Sequence, residues 1–99
     1  MDYEYTGFEW DRTKARTNIR KHEVSFHEAA TVFDDPYARV IEDPDHSDAE
    51  ERFLILGLSS MARELMVCHC LRNNGENIRI ISARKATRTE QQAYWRYRR

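Results

Sequence analysis

The chain has 99 residues with a formal net charge of −1 at pH 7, and 40% of its residues are hydrophobic and 33% charged. These values are typical of one globular domain, so we expect a single domain over residues 1–99. The near-neutral charge is not that of a protein that coats nucleic acid. No apolar run approaches the ~20 residues that span a membrane, and the N-terminus has neither the basic nor the apolar region of a signal peptide. We therefore expect a cytoplasmic protein with no membrane contact.

The N-terminal part predicts a short extended piece at 8–10 followed by a helix at 12–21. Asp11 precedes the helix, where its carboxylate can accept hydrogen bonds from the free amides of the first turn. The apolar side of the helix is thin and consists mainly of Ala15 and Ile19. We expect the helix to lie on the surface and to present its basic side chains to a ligand.

A second helix is predicted to begin at Ser25, because Ser25 and Glu28 form a capping box. Its apolar residues recur at intervals of three and four, which is the pattern of a helix that packs on a core. The helix is expected to end at 34–36, where two aspartates precede a proline.

Four short apolar runs follow, at 37–41, 52–58, 65–71 and 77–83. Each is rich enough in β-branched or aromatic residues to predict a strand. Short connections predict that the last three strands form an antiparallel meander, and the first strand returns through an acidic loop at 44–51. A second capping box, Thr87 with Glu90, predicts a C-terminal helix. The expected fold is α+β, an antiparallel sheet of about four strands with two N-terminal helices and one C-terminal helix on one face.

The two cysteines give no support to a metal site or a disulfide. Cys68 and Cys70 are two apart in a predicted strand, so they share a face at about 7 Å, which is too far for a disulfide. His69 lies on the other face, and the chain has no second cysteine pair to complete a zinc site. We expect neither a metal nor another cofactor.

The charges form blocks along the chain. Residues 12–22 are basic without an acid, residues 42–51 are acidic without a lysine or arginine, and the segment from Arg84 onward is again basic. If the two basic blocks converge, they form one surface that attracts anions, and the acidic block faces elsewhere or meets a basic partner.

Arg72 and Arg84 each close an apolar run. A guanidinium carries a permanent charge and a planar set of donors, which suits a phosphate-bearing partner such as RNA. The alternative is that both residues only mark the points where strands leave the core and meet solvent.

An ordered set of residues resembles the BrnT toxins of type II toxin-antitoxin modules. The matching residues run from Phe8 to Tyr94: Phe8-Glu9-Trp10-Asp11, Lys14, Asn18, Lys21-His22, Phe26, Ala29, Phe33-Asp34-Asp35-Pro36, Glu51-Arg52-Phe53, Gly57, Arg72, Arg79-Ile80-Ile81-Ser82-Ala83-Arg84, Ala86-Thr87, Glu90 and Tyr94.

The resemblance implies a RelE-like ribonuclease fold and an RNA-cleaving activity that stops translation and growth. It also implies a BrnA-like antitoxin with a ribbon-helix-helix domain, in a heterotetramer that neutralises the toxin and binds operator DNA. The family's important arginines map onto Arg72 and Arg84, and Trp10, Lys21 and His22 are further matching positions. Glu23 stands where the family commonly has glycine, which leaves the geometry of Lys21 and His22 open, because other residues disfavour a left-handed helix end.

Metal-independent RNA cleavage uses the neighbouring 2′-hydroxyl as nucleophile and needs a base, an acid and cations that stabilise the phosphorane. We expect the catalytic groups to be Arg72, Arg84, Lys21 and His22, and the RNA-binding residues to be Trp10, Lys14, Arg52 and Arg79. The alternatives are that His22 offsets the dipole of its helix and that Trp10 packs in the core.

The turn between the last two strands decides where the arginines point. A two-residue turn at Asn74 and Gly75 pairs Arg72 near Asn77 and sends Arg72 and Arg84 to opposite faces, whereas a bulge at Gly75 returns them to one face. Even then they lie roughly 20 Å apart. We therefore expect a groove in which one arginine is near the scissile bond and the other positions the RNA.

Two other functions remain open at this stage. One is a non-catalytic regulatory module that binds RNA or DNA through its basic ends. The other is a small structural partner whose acidic segment, 42–51, meets a basic protein.

Overall fold

The protein is described by a computed structural model that covers residues 1–44 and 51–98. The described part contains six strands, three α-helices and two short 3₁₀ turns. In chain order the elements are β1 (Asp2–Tyr5), β2 (Phe8–Asp11), α1 (Arg12–His22), α2 (Phe26–Thr31), a 3₁₀ turn (Val32–Asp34), β3 (Arg39–Glu42), β4 (Phe53–Leu58), β5 (Glu64–Arg72), a 3₁₀ turn (Asn73–Gly75), β6 (Asn77–Lys85) and α3 (Arg88–Arg98).

The strands form one mixed sheet in the order β1-β2-β6-β5-β4-β3. The expected meander of β4, β5 and β6 is confirmed, and β3 pairs with β4 as predicted. The acidic loop predicted at 44–51 lies largely outside the described residues, which omit 45–50.

The prediction of about four antiparallel strands is wrong in number and in direction. The extended piece at 8–10 is strand β2, which forms a hairpin with β1 and pairs in parallel with β6. The hairpin turns at Thr6 and Gly7, which both adopt positive φ angles of 48° and 86°. A four-residue strand such as β1 carries too little periodicity to be recognised without its partner.

The helices cover both faces of the sheet, which corrects the prediction of one covered face. Helices α1 and α2 pack over the face that carries Ile55 and Val67. Helix α3 packs on the opposite face, where Tyr94 is fully buried against Leu56 and Met66. Because side chains alternate along a strand, neighbours such as Ile55 and Leu56 belong to different cores.

The side-chain amide of Asn18 joins α1 to the free edge of β6. Strand β2 pairs with β6 only as far as Arg79, so the later residues of β6 have no strand on that side among the described residues. Asn18 donates to the carbonyl of Ala83 at 2.8 Å and accepts from the Ala83 amide at 3.1 Å. It also donates to the carbonyl of Val24 at 2.9 Å, beyond the end of α1. The buried amide thus replaces a strand partner and fixes the helix along β6.

A buried carboxylate holds α2 against the loop between β4 and β5. Glu28 is 6% exposed and accepts hydrogen bonds from Ser59 and from the guanidinium of Arg63. The hydrogen bonds from Arg63 lower the pKa of Glu28 below its ordinary value, so the carboxylate remains ionised in its buried position. Arg63 also donates to the carbonyl of Glu23 at 3.0 Å, which ties the end of α1 to the same loop.

Replacement of Asn18 by alanine should cost about 2–4 kcal/mol of unfolding free energy, because three hydrogen bonds are lost and both polar groups of the Ala83 backbone stay buried without a partner. Urea denaturation monitored by tryptophan fluorescence measures this cost. The Thr17→Ala variant, changed one residue earlier in the same helix, is the control and should lose less than about 1 kcal/mol. Equal losses in the two variants would contradict the role of the amide.

Candidate active site

Helix α1 and strand β6 enclose a groove of about 230 Å³. Its lining residues are Thr13, Lys14, Thr17, Asn18, Lys21, His22, Ile81 and Ser82. Lys14 and Lys21 are close to two helical turns apart, so both project from the same side of α1. The groove therefore brings together three of the residues predicted from the sequence, Lys14, Lys21 and His22.

A bulge in β6 determines which of its side chains lie on the face that α3 covers, where Met66 is opposite Arg84. Arg72 pairs with Asn77 as predicted, and the turn at 73–75 does not shift the register. The shift occurs within β6, where His69 faces Ile80 and Cys68 faces Ser82, so Ile81 is an additional residue. The alternation is reversed at that point.

Because of this bulge, Arg84 and Ser82 share the face of Arg72. The prediction that a bulge is needed is correct, but its expected place at Gly75 is wrong. The turn instead contains three consecutive residues with positive φ angles, Asn73, Asn74 and Gly75, at 52°, 56° and 90°.

The two arginines lie at opposite ends of that face. Arg84 is opposite Met66, and Arg72 follows Met66 by six residues in β5, which corresponds to roughly 20 Å. Hydrogen bonds from Arg79 lower the pKa of Asp2, and Arg72 adds to this effect. Arg72 is thus at the end of the sheet near β1, while Arg84 is at the end near the groove.

Arg84 is held in place by a carboxylate and remains accessible. Its two terminal nitrogens donate to the two oxygens of Glu90 at 2.8 and 3.0 Å, and the first also donates to the carbonyl of Lys85 at 3.3 Å. The side chain is 41% exposed. Among the described residues, these contacts occupy three of the five donors of the guanidinium and leave two for another acceptor. Hydrogen bonds from Arg84 lower the pKa of Glu90 to about 2, so this carboxylate is ionised at neutral pH.

Glu23 adopts a left-handed conformation at the end of α1, although residues other than glycine disfavour it. Its φ and ψ angles are 59° and 34°, and its amide closes α1 by donating to the carbonyl of Ile19. Its carboxylate lies 3.3 Å from the ammonium of Lys85. The end of α1 is therefore formed without glycine, and Lys21 and His22 line the groove from the last turn.

Two predicted RNA contacts have structural roles instead. Trp10 is only 3% exposed, and its ring contacts Phe26 and His27 at centroid distances of 5.8 and 4.9 Å, so it packs in the core, as the alternative interpretation of the sequence had it. Arg79 lies between Asp2 and Glu9, which accept at 3.0 and 2.8 Å, and its side chain is 17% exposed. Its charge is balanced by these carboxylates.

Arg52 does not line the groove and immediately precedes β4. Its Nε atom is buried and has no hydrogen-bond partner among the described residues. Burial and the neighbouring Asp43 raise the pKa of the Cys68 thiol to about 11, although the charge of Arg52 acts to lower it. This thiol is protonated at neutral pH and is not a reactive nucleophile.

Both cysteines are buried, and neither is part of a disulfide. Within the described ranges, no group of three His, Cys, Asp or Glu side chains is placed to hold a metal ion. Likewise, none of the helices in the part of the chain that the structure describes is long and apolar enough to span a membrane.

Three residues that were not predicted as part of the site belong to it or support it: Asn18, Ser82 and Glu90. Asn18 is four residues from Lys14 and three from Lys21, so helical spacing already places it on the same side of α1. Ser82 precedes Arg84 by two in a strand, which is the spacing of one face. Glu90 belongs to a capping box with Thr87, and because this explained its presence, its pairing with Arg84 was not predicted.

The fold is that of a ribonuclease toxin. A crystal structure of the Brucella abortus ribonuclease toxin, BrnT, is similar to the chain with a TM-score of 0.61 and 26% sequence identity, over 80% of this chain and 94% of that chain. The family model described as ribonuclease toxin, BrnT, of type II toxin-antitoxin system matches residues 10–90. The chain therefore belongs to the BrnT family, and membership implies endoribonuclease activity and an antitoxin partner. No curated protein matches the chain.

The left-handed residue at the end of α1 can be tested with two variants that both remove the carboxylate paired with Lys85. Glu23→Gly should be more stable than Glu23→Ala by about 1 kcal/mol, since only glycine adopts a positive φ without a steric cost. Urea denaturation at equal protein concentration gives the difference. Equal stability, or a less stable glycine variant, would show that Glu23 is not strained.

Proposed function

We propose that the chain cleaves RNA in the groove between α1 and β6 and thereby stops translation and growth. The observation that carries this proposal is the convergence of Lys14, Lys21 and His22 on the bulge of β6, with Arg84 two residues beyond Ser82 on the same face of the strand. Cationic groups and a proton-transfer group within one groove are what cleavage of a phosphodiester requires.

The reaction that suits these groups is attack of the 2′-hydroxyl on the adjacent phosphorus. One of His22 and Lys21, in its neutral form, accepts the proton of the hydroxyl. The other, in its protonated form, donates a proton to the 5′-oxygen as its bond to phosphorus breaks and the cyclic phosphate forms. Arg84 stabilises the charge that develops on the phosphorane through the two donors that Glu90 and Lys85 leave unused. The products carry a 2′,3′-cyclic phosphate and a 5′-hydroxyl. Because the nucleophile belongs to the substrate, this route needs no metal ion.

Arg72 and Arg84 have different tasks in this proposal. The distance of roughly 20 Å along the sheet prevents them from binding one phosphate. Arg84 acts at the scissile bond, since it is next to the groove. Arg72 contacts a phosphate several nucleotides away and positions the strand, and Arg52 assists it in binding the RNA.

The antitoxin is proposed to be a BrnA-like protein with a ribbon-helix-helix domain. Its dimeric DNA-binding fold would bring two toxin chains into a heterotetramer that binds operator DNA. This part of the proposal is supported by the type II family to which the chain belongs. A short adjacent reading frame that encodes a ribbon-helix-helix protein would agree with it.

The alternative is a regulatory module that binds RNA or DNA without cleaving it. Its main support is the ion pair between Arg84 and Glu90, because the same contact would also fix a guanidinium that only binds phosphate. An assay with purified protein separates the two functions.

The purified protein should degrade total RNA in excess EDTA, and Arg84→Ala should lower the rate by about 10²–10³-fold, since one preorganised charge is lost from the transition state. The matched control is Arg88→Ala, which removes an exposed arginine close in sequence but outside the groove. Circular dichroism checks that the variants are folded. In cells, Arg72→Ala and Arg84→Ala should each relieve toxicity.

Three results would contradict the proposal. Binding without degradation by the wild-type protein would favour the regulatory module. Degradation that stops in EDTA would rule out the metal-independent route, and undiminished toxicity of a folded Arg84→Ala variant would remove this residue from the site.

A further inference from the structure

The outer side of α1 carries a second basic surface that is separate from the groove. It consists of Arg12, Arg16 and Arg20, which we call the arginine ridge. All three side chains are exposed, and none forms an ion pair with an acid among the described residues. Their regular spacing of four residues places them on one side of the helix, about 6 Å apart along its axis.

An aromatic pocket adjoins the N-terminal end of the ridge. It has a volume of about 240 Å³ and is lined by Tyr3, Trp10, Arg12, Ala15, Arg16 and His27. The guanidinium of Arg12 lies over the ring of Tyr3 at 5.0 Å from its centroid. The exposed ring of His27 forms a T-shaped contact with Tyr3 at a centroid distance of 5.5 Å, and buried Trp10 packs against Tyr3 at 5.1 Å. The pocket therefore has a predominantly aromatic wall with cationic groups at its rim.

From these observations we infer that the arginine ridge and the aromatic pocket bind a single-stranded segment of RNA outside the cleavage groove. A row of cations that follows the backbone, next to aromatic rings on which a base can stack, is the usual arrangement for single-stranded nucleic acid. The spacing of the ridge is comparable to that of successive phosphates on an extended strand. The inference rests on the proposed function, because it assumes that RNA is the ligand.

The position of the two surfaces on one helix gives the path of the strand. Lys14 and Lys21 project from α1 toward β6, while the ridge projects from the other side of the same helix. An RNA strand that crosses α1 reaches both surfaces. On this path a dinucleotide occupies only the groove, and only longer RNA reaches the ridge.

The test uses fluorescein-labelled RNA with 2′-O-methyl groups, which cannot be cleaved because its nucleophile is blocked. Fluorescence anisotropy measures the affinity of an oligonucleotide of about eight nucleotides between about 50 and 200 mM salt. The Arg16→Ala/Arg20→Ala variant should make the slope of log affinity against log salt less steep by about 1.4, since two phosphate contacts are lost. Arg12 is kept in this variant to preserve its stacking on Tyr3.

The matched control is Arg88→Ala/Arg96→Ala, which removes the same charge from two exposed positions of α3. Its slope should equal that of the wild type, and a dinucleotide should bind the wild type and the ridge variant equally. Tyr3→Leu keeps an apolar wall in the pocket and should weaken binding of the longer RNA about tenfold. An unchanged slope in the ridge variant, or an equal change in the control, would overturn the inference.

Cleavage of unmodified RNA is measured in parallel, so that the two proposals fail separately. If the wild type binds through the ridge but does not cleave, the ridge stands and the proposed ribonuclease function fails. If it cleaves while the ridge variant keeps the wild-type slope, the function stands and the ridge is overturned.

Discussion

The hydrogen bonds of one buried amide, that of Asn18, determine the geometry of the candidate site. Strand β2 leaves β6 before the strand ends, and the backbone of Ala83 would lack partners if the Asn18 side chain did not supply both an acceptor and a donor. A buried peptide group without partners is costly, so α1 cannot slide or rotate against β6 without losing these bonds. The same helix carries Lys14, Lys21 and His22 on the groove side. Their position relative to Arg84 therefore follows from a contact that itself involves no charge.

A near-neutral protein can offer a basic surface because many of its acids are used within the fold. Glu90 holds Arg84, Glu28 holds Arg63, and Asp2 and Glu9 hold Arg79. Asp35 also has its partners within the fold, although they are not arginines. Burial would raise its pKa, but hydrogen bonds from the Tyr94 hydroxyl and two backbone amides lower it. Helix α1, by contrast, contains five lysines and arginines and no acid. The net charge of −1 therefore understates the attraction of this helix for an anionic strand.

The sequence predicted the features that depend on neighbouring residues, such as the first residues of the helices. The starts of α1, α2 and α3 follow from Asp11, Ser25 and Thr87, each of which accepts hydrogen bonds from the first turn of its helix. The parallel pairing of β2 with β6, the face covered by α3 and the bulge at Ile81 depend on contacts between distant parts of the chain, and no short pattern encodes them. For the site, Lys14 and Lys21 were predictable from one basic helix, and His22 from the resemblance to the family. The burial of Trp10 was one of two interpretations that the sequence left open. The pairing of Arg79 with two carboxylates was not predictable, because it depends on how β1 and β2 pair beside β6.

The proposed joint binding of RNA by α1 and β6 is tested most directly by an NMR titration of ¹⁵N-labelled protein with a 2′-O-methyl dinucleotide, which cannot be cleaved because its nucleophile is blocked. We expect the backbone amides of Lys14, Lys21, Ser82 and Arg84 to shift together and to saturate with a single affinity. Shifts confined to β3 and α3, or separate affinities for α1 and β6, would contradict the existence of one shared site.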